Sequence, residues 1–310
     1  MKKSYSRLLD KPVAFFIFNR PETTRQVFAT IRDARPTRLL VIADGPRPER
    51  PNEAEACLAT RAILSNVDWP CEVLTNYSEA NLGCKLRVSS GLDWVFHTVE
   101  EAIILEDDCL PHPTFFPYCA ELLDRYCHNE RVMHIGGANF QFGQRYGPAS
   151  YYFSRYAHVW GWASWRRAWK HYDVSMACWP KVRQQIVASF ESQDERNFWL
   201  TTWDKVYKGR INTWDYQWAF TCIAQGGLTV IPNVNLISNI GFGSTATHTT
   251  SNSFLANIPT EALESPVIHP PEIVRAEEAD AHVHRLFFYA DSFLRRILKI
   301  LVGFRGISQG

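Results

Sequence analysis

At 310 residues, with 46% hydrophobic and 21% charged side chains, the chain has the composition of an ordinary globular protein with room for a large core. A net charge of +1 excludes the general basic excess of a phosphate-tracking protein, so no nucleic-acid partner is expected. The eight cysteines (Cys57, Cys71, Cys84, Cys109, Cys119, Cys127, Cys178 and Cys222) show neither a C-x-x-C pair nor metal-ligand spacing, which suits reduced thiols better than a disulfide framework.

Residues 1–12 lack the apolar centre of a signal peptide, and no run approaches membrane-spanning length, so the cytoplasm is the expected compartment. Val13 to Phe18 is a continuous apolar run of strand length, followed by Asn19, Arg20 and Pro21 and a helical stretch from Glu22 to Arg32. Arg38 to Ala43 repeats the pattern, closing on Asp44-Gly45-Pro46 before a helical segment from Glu53 to Leu64. A third run, Cys71 to Thr75, precedes Asn81-Leu82-Gly83-Cys84-Lys85 and a helix to about His97. The fourth, Ala102 to Leu105, ends in Glu106-Asp107-Asp108. Strands buried on both faces and alternating with helices predict an α/β fold with a mostly parallel central sheet flanked by helices. Ligands of such sheets collect at the carboxyl ends of the strands, where Asn19, Arg20, Asp44 and the acidic triplet fall.

Beyond Asp108 the pattern changes. Pro111-His112-Pro113 interrupts the chain, Thr114 caps a helix to about Cys127, and Val132 to Gly136 reads as a strand. Tyr151 to Trp218 reads as mostly helical and holds most of the eleven tryptophans. Trp162, Trp165 and Trp169 have the spacing of one helix face, which favours core packing over a sugar-stacking platform, while the Trp160-Gly161-Trp162 end is placed to line an acceptor cleft. Leu228 to Ile231 is a last short strand, leading into a small-residue loop from Asn239 to His248.

The expected organisation is a domain over 1–258, with a donor half of about 12–110 and an acceptor half of about 111–258. A Pro-rich linker follows over 259–278, then a basic amphipathic helix and tail over 279–310. In that helix Val283, Leu286, Phe287, Ala290, Leu294, Ile297 and Leu301 share one face, opposite Arg285, Arg295, Arg296 and Lys299. It either docks on the domain or lies on an anionic membrane surface.

The triplet has its own energetics. At roughly 5 Å and an effective dielectric near 20, each neighbouring pair of ionised carboxylates repels by about 3 kcal/mol, so the cluster requires a cation. A divalent metal is the candidate, and a solvated acidic turn is the plain alternative. Strand alternation would point Glu106 and Asp108 to one side and Asp107 to the other.

In order, Leu105-Glu106-Asp107-Asp108, Trp214-Asp215-Tyr216-Gln217-Trp218, Ile231-Pro232 and the Gly241-Phe242-Gly243 loop resemble the nucleotide-sugar glycosyltransferases of GT-A fold. The branch typified by N-acetylglucosaminyltransferase I and its bacterial relatives matches best in motif order. The resemblance covers about residues 12–250. It implies an inverting, metal-dependent glycosyltransferase that takes a nucleotide-sugar donor, UDP-linked by family habit, and transfers to a glycan hydroxyl.

On that resemblance Asp108 holds Mn²⁺ or Mg²⁺ against the donor phosphates, Glu106 sits near the ribose or donor sugar, and Asp107 completes the site. Asp44 accepts from the base or ribose, or else forms only an Asx turn with Gly45. Asn19 and Arg20 lie where the backbone passes the nucleotide, and the alternative for Arg20 is a surface arginine at a helix start. Gly83 and Lys85 lie beside the base, although the lysine fits a solvated role equally well. Asp215 is the general base, or simply the N-cap of a helix ending near Gly226. Where eukaryotic relatives carry a second acidic residue after the tryptophan, this chain has Tyr216. Ser244 belongs to a lid over the diphosphate, with His248 as a metal ligand or phosphate partner. A lipid-linked acceptor would make peripheral contact with the inner face of the membrane sensible. The rival readings are a sugar-phosphate nucleotidyltransferase, which calls for a glycine-rich loop after the first strand, and a non-catalytic carbohydrate-binding protein using the tryptophans.

Overall fold

A computed structural model describes residues 8–242 and 255–287. Strand β1 (Val13–Ile17) runs parallel between β2 (Arg38–Ala43) and β4 (Glu101–Glu106), with Phe15 opposite Val41 on one side and Leu105 on the other. β3 (Glu72–Tyr77) adds to β2 in parallel and forms one edge. The inner strands are apolar at nearly every position because both sheet faces are covered. Val13, Phe15 and Ile17 face one core with Val27 and Ile31 of helix α1 (Pro21–Ala34). Ala14 and Phe16 face the other, with Val88, Leu92 and Val95 of helix α3 (Gly83–Thr98). Helix α2 (Glu53–Ala62) follows β2.

Past β4 the sheet continues in the order β8-β6-β9-β7, giving eight strands in all. β8 (Trp162–Trp165) lies antiparallel to both β4 and β6 (Val132–Gly136), β9 (Leu228–Pro232) is parallel to β6, and β7 (Tyr151–Ser154) closes the far edge antiparallel to β9. A separate ribbon pairs β5 (Cys109–Pro111) with β10 (Ile237–Asn239) and brings the loop at Gly241 beside the acidic triplet. Helix α4 (Phe115–Tyr126) joins the α1 face, whereas α5 (Arg166–Trp169) and α8 (Asp215–Ala224) join α3. Helices α6 (Trp179–Ala188), α7 (Gln193–Tyr207) and α9 (Glu277–Phe287) share a further aromatic core around Trp199 and Trp203. The architecture is the expected α/β class, a large and mostly parallel central sheet flanked by helices.

Four local expectations are corrected. Residues 151–218 do not open as helix, because Tyr151–Ser154 and Trp162–Trp165 are strands. Trp162 and Trp165 therefore face opposite sides of the sheet, one in each core, since strand side chains alternate. Thr114 sits at the N-cap of α4 without capping it, its hydroxyl being held by the ring of His112 and the amide of Leu263. The stretch expected as a free linker is tied along the body: Leu263 bonds Thr114, Ile268 bonds Ser150 at 2.8 Å, and Ala276 bonds Phe153 at 2.8 Å. Helix α9 then docks through buried Ala279, Val283 and Leu286. The expected continuation over 288–302 lies outside the described residues.

Candidate active-site cleft

A cleft of about 390 Å³ opens at the carboxyl ends of β1, β2 and β4, with Glu106, Asp107 and Asp108 on its wall. β4 ends at Glu106, so Asp107 and Asp108 sit in the turn leading to β5 and the pleat no longer governs them. The expected split, with Asp107 on the opposite side, is therefore not what forms. Arg20 spans both aspartates, with Nη1 donating to Asp108 Oδ2 at 2.9 Å and Nη2 to Asp107 Oδ1. Asp107 is 2% exposed, and its Oδ2 also accepts from the Phe18 amide at 3.2 Å. The cation that the acidic turn requires is thus supplied in part by the chain itself. The pairing raises the pKa of Arg20 against the opposing effect of its burial.

Glu106 accepts no hydrogen bond from the described residues. Burial first, then the charges of Asp108 and Asp107, push its pKa up to about 8. The loop after β10 closes over this group: a Cβ on Gly241 would fall 2.3 Å from Asp108 Oδ2 and 2.8 Å from Arg20 Nη1. Half-buried Trp160 stands on the same wall with Phe242 edge-on at 5.8 Å.

Asp44 lines the cleft, yet both its oxygens are taken. Oδ1 accepts from the amides of Gly45 and Leu82 at 2.9 Å, while Oδ2 accepts from the Gly83 amide at 2.9 Å and Asn81 Nδ2 at 3.1 Å. It pins the start of α3 against the end of β2, a bonding pattern wider than the Asx turn with Gly45 that the sequence offered. Gly83 opens α3 on the cleft with φ of +74°, a conformation that favours glycine. Asn19 turns away from the cleft: its Nδ2 donates to Glu53 at 2.9 Å, and Glu53 also binds Arg47. Lys85 is half-buried and off the cleft wall. Ser244 and His248 lie outside the described residues.

Asp215 is the first residue of α8, and Trp214 holds the N-cap position. Its Oδ1 is fixed by the Thr213 hydroxyl and the Tyr216 amide, leaving Oδ2 without a protein donor among the described residues. Asp215 lies close enough to Glu106 and Cys84 to add to the negative potential at both. The sequence reading missed Arg47, Arg87, Asn212 and Asn239, all on the cleft wall. Each is a single polar residue in an unremarkable context, and only the convergence of the segment before α2, of α3, of the segment before α8 and of the end of β10 places it there.

Among the described residues no cluster of three His, Cys, Asp or Glu side chains stands ready to hold a metal by itself. The carboxylates of Glu106 and Asp108 line the cleft with hard oxygens, and among the described residues Asp108 Oδ1 has one neighbouring donor, the Cys109 thiol at 3.5 Å. That set fits a cation whose remaining ligands are phosphate oxygens and water, and does not make a closed protein cage.

No protein-family model matches the chain. No curated protein matches it either. Among solved structures it is similar to 4-diphosphocytidyl-2C-methyl-D-erythritol synthase from Anaerococcus prevotii, at 10% identity over 64% of this chain and 82% of that one, with a TM-score of 0.31. A likeness at this level bears on neither substrate nor reaction. Among the described residues no helix is long and apolar enough to cross a membrane.

Proposed function

We propose that this protein is an inverting, metal-dependent glycosyltransferase that moves a sugar from a nucleoside-diphosphate donor, UDP-linked first, to a hydroxyl of a glycan or lipid-linked glycan. The observation that carries the reading is the acidic turn: it faces a cleft at the strand ends and leaves the Glu106 carboxyl without a hydrogen bond from the described residues, beside a paired Asp108. An acidic turn pointing into bulk solvent would have carried no such reading.

Asp215 suits the base role because its Thr213 and Tyr216 contacts orient the carboxylate and leave Oδ2 open. As the acceptor oxygen bonds to the anomeric carbon, its proton passes to Oδ2, and the breaking bond leaves its electron pair on the diphosphate. A divalent cation held by Asp108 and Glu106 together with phosphate oxygens would supply charge to that leaving group. Arg20 adds a fixed positive group at the same place and holds Asp108 in position. Inversion, the donor-lid role of Ser244 and the metal role of His248 rest on the resemblance. Asp44 is reassigned from a nucleotide contact to a positioning residue for the start of α3. The cytoplasm remains the proposed compartment, with peripheral contact at the inner membrane face for a lipid-linked acceptor.

The nucleotidyltransferase reading is disfavoured by the turn after β1, where Ile17 ends the strand and Pro21 already begins α1, leaving no room for a glycine-rich phosphate loop. The test is a hydrolysis and transfer screen across nucleotide-sugars with Mn²⁺, repeated on Asp108→Ala and Asp215→Asn. The first should lose donor turnover. The second should keep donor affinity and lose turnover by about 10²- to 10⁴-fold. Glycan binding with no nucleotide signal, unaffected by metal, would sink the proposal in favour of a carbohydrate-binding protein.

A further inference from the structure

We propose that β3 is a dimer seam, pairing antiparallel with β3 of a second copy so that the two central sheets run on as one. The inference concerns the edge of the sheet and stands apart from the reaction assigned to the cleft. The two ends of the sheet differ. β7 at one end is partly covered by the segment reaching Ala276, whose amide bonds the Phe153 carbonyl at 2.8 Å. β3 at the other end has no such cover among the described residues.

The ladder shows which groups are open. The Glu72 amide donates to the Thr37 carbonyl and the Ser78 amide to the Ala43 carbonyl, both at 2.9 Å, so the even-numbered residues turn their backbone groups to β2. Alternation turns the amides and carbonyls of Val73, Thr75 and Tyr77 outward, where no hydrogen bond from the described residues reaches them. Edge strands that stay unpaired are commonly blunted by lysine, proline or a bulge. β3 carries none of these: its register with β2 is unbroken, and its one charge, Glu72, is paired with Arg38 at 2.6 Å.

Apolar exposure collects at the same place. Of nine exposed large hydrophobic side chains among the described residues, five lie on β3 or beside it: Leu58, Val73, Tyr77, Leu82 and Leu86. Arg61 of α2 lies over the Tyr77 ring at 4.8 Å, and Arg87 of α3 bonds Asn76, so α2 borders one face of this edge and the start of α3 the other.

The occupant follows from self-complementarity. A twofold contact needs every residue to meet its partner reciprocally. With the axis at Thr75, each Val73 lies opposite a Tyr77 and Thr75 lies opposite itself, which are the aromatic with β-branched pair and the threonine pair that antiparallel strands favour. Glu72 falls opposite Ser78, so no like charges meet. Six residues at about 3.3 Å each give an edge of only about 20 Å, too little alone for the roughly 1,200 Å² that a stable interface buries. The same axis brings α2 towards its copy on one face and α3 towards its copy on the other, adding Leu58, Leu82 and Leu86 to the contact.

The test is sedimentation velocity on the full-length protein over a concentration series. A species of twice the 35.7 kDa chain mass is expected, and a monomer throughout the series would overturn the proposal. Thr75→Lys sets two lysines face to face at an exposed position and should weaken the dimer about tenfold or more, while circular dichroism shows a folded chain. Val73→Lys should weaken it as well. Adding Tyr77→Glu to Val73→Lys should restore the dimer, because each introduced lysine then meets the introduced glutamate of the other copy. A dimer indifferent to both lysine substitutions would put the seam elsewhere and overturn the proposal. A dimer weakened by Val73→Lys and not recovered in the double variant would overturn the pairing centred on Thr75.

Discussion

Arg20 carries the acidic turn, because it alone among the described residues bonds both Asp107 and Asp108. Replacing it with methionine leaves Asp107 buried and without its counter-charge, which should lower stability by about 3 kcal/mol at neutral pH in urea denaturation. The cost should shrink as the pH falls, since protonating Asp107 removes the charge that lost its partner. Adding Asp107→Asn to the same chain should recover much of the loss at pH 7. Gly241 makes a different prediction at the same scale. An added methyl in Gly241→Ala would press on Asp108 and Arg20, so nucleotide affinity should fall tenfold to a hundredfold, on the order expected for misplaced binding groups, with little change in melting temperature. Of the site residues, the acidic triplet was legible because three adjacent carboxylates after an apolar strand are costly without a purpose. The bonding of Asp44 was not, since Asp44-Gly45-Pro46 reads equally as a turn or a ligand contact until its donors are in place.

Helix α3 carries one wall of the cleft, with Gly83 and Arg87 both on it. It lies close to the sheet at Gly91, where a Cβ would meet Phe16 Cε1 at 2.7 Å and Ile42 Cγ2 at 2.8 Å. Gly91→Ala should therefore destabilise the fold by roughly 1–3 kcal/mol through overpacking, read as a lower urea midpoint. Displacing the helix should weaken nucleotide binding in the same variant, although Gly91 touches no ligand. The inner strands β1, β2 and β4 were readable as strands because burial on both faces leaves a continuous apolar run. β7 and β8 escaped notice for the opposite reason. Trp162 and Trp165 of β8 stand at an interval that a helix also satisfies, the consecutive aromatics of β7 show no alternation, and only pairing with β4 and β9 decides the matter.

At the scale of the whole molecule, the buried aromatic mass between α3, α5, α8 and β8 encloses the imidazole of His134. His134 is fully buried and stacks on Trp162 at 4.9 Å. Its Nε2–H donates to the His158 carbonyl at 3.0 Å, and its Nδ1 accepts from Trp218 Nε1 at 3.1 Å. Protonating Nδ1 would set donor against donor, and burial already pushes the pKa down from 6.5 to about 3. The unfolded chain takes up that proton first, so the contribution is intact above about pH 6.5 and is lost as the pH falls towards 3. Stability should decline by up to about 1.4 kcal/mol per pH unit from this ring across the acid range. A pH series of urea melts should show a slope in the wild type that is shallower in His134→Gln by up to that amount.

The strap from 259 to 276 also changes how the chain can be divided. Arg275 bridges Phe153 and the Ala276 amide bonds its carbonyl, so the strap covers part of the outermost strand of the sheet, whose unpaired backbone would otherwise be open to other chains. A protein cut after Ile258, at the boundary that composition suggests, should run as soluble aggregates on a sizing column, while one ending after Phe287 should elute as a discrete species. The proline-rich stretch is then a selvedge that keeps the weave from catching on its neighbours.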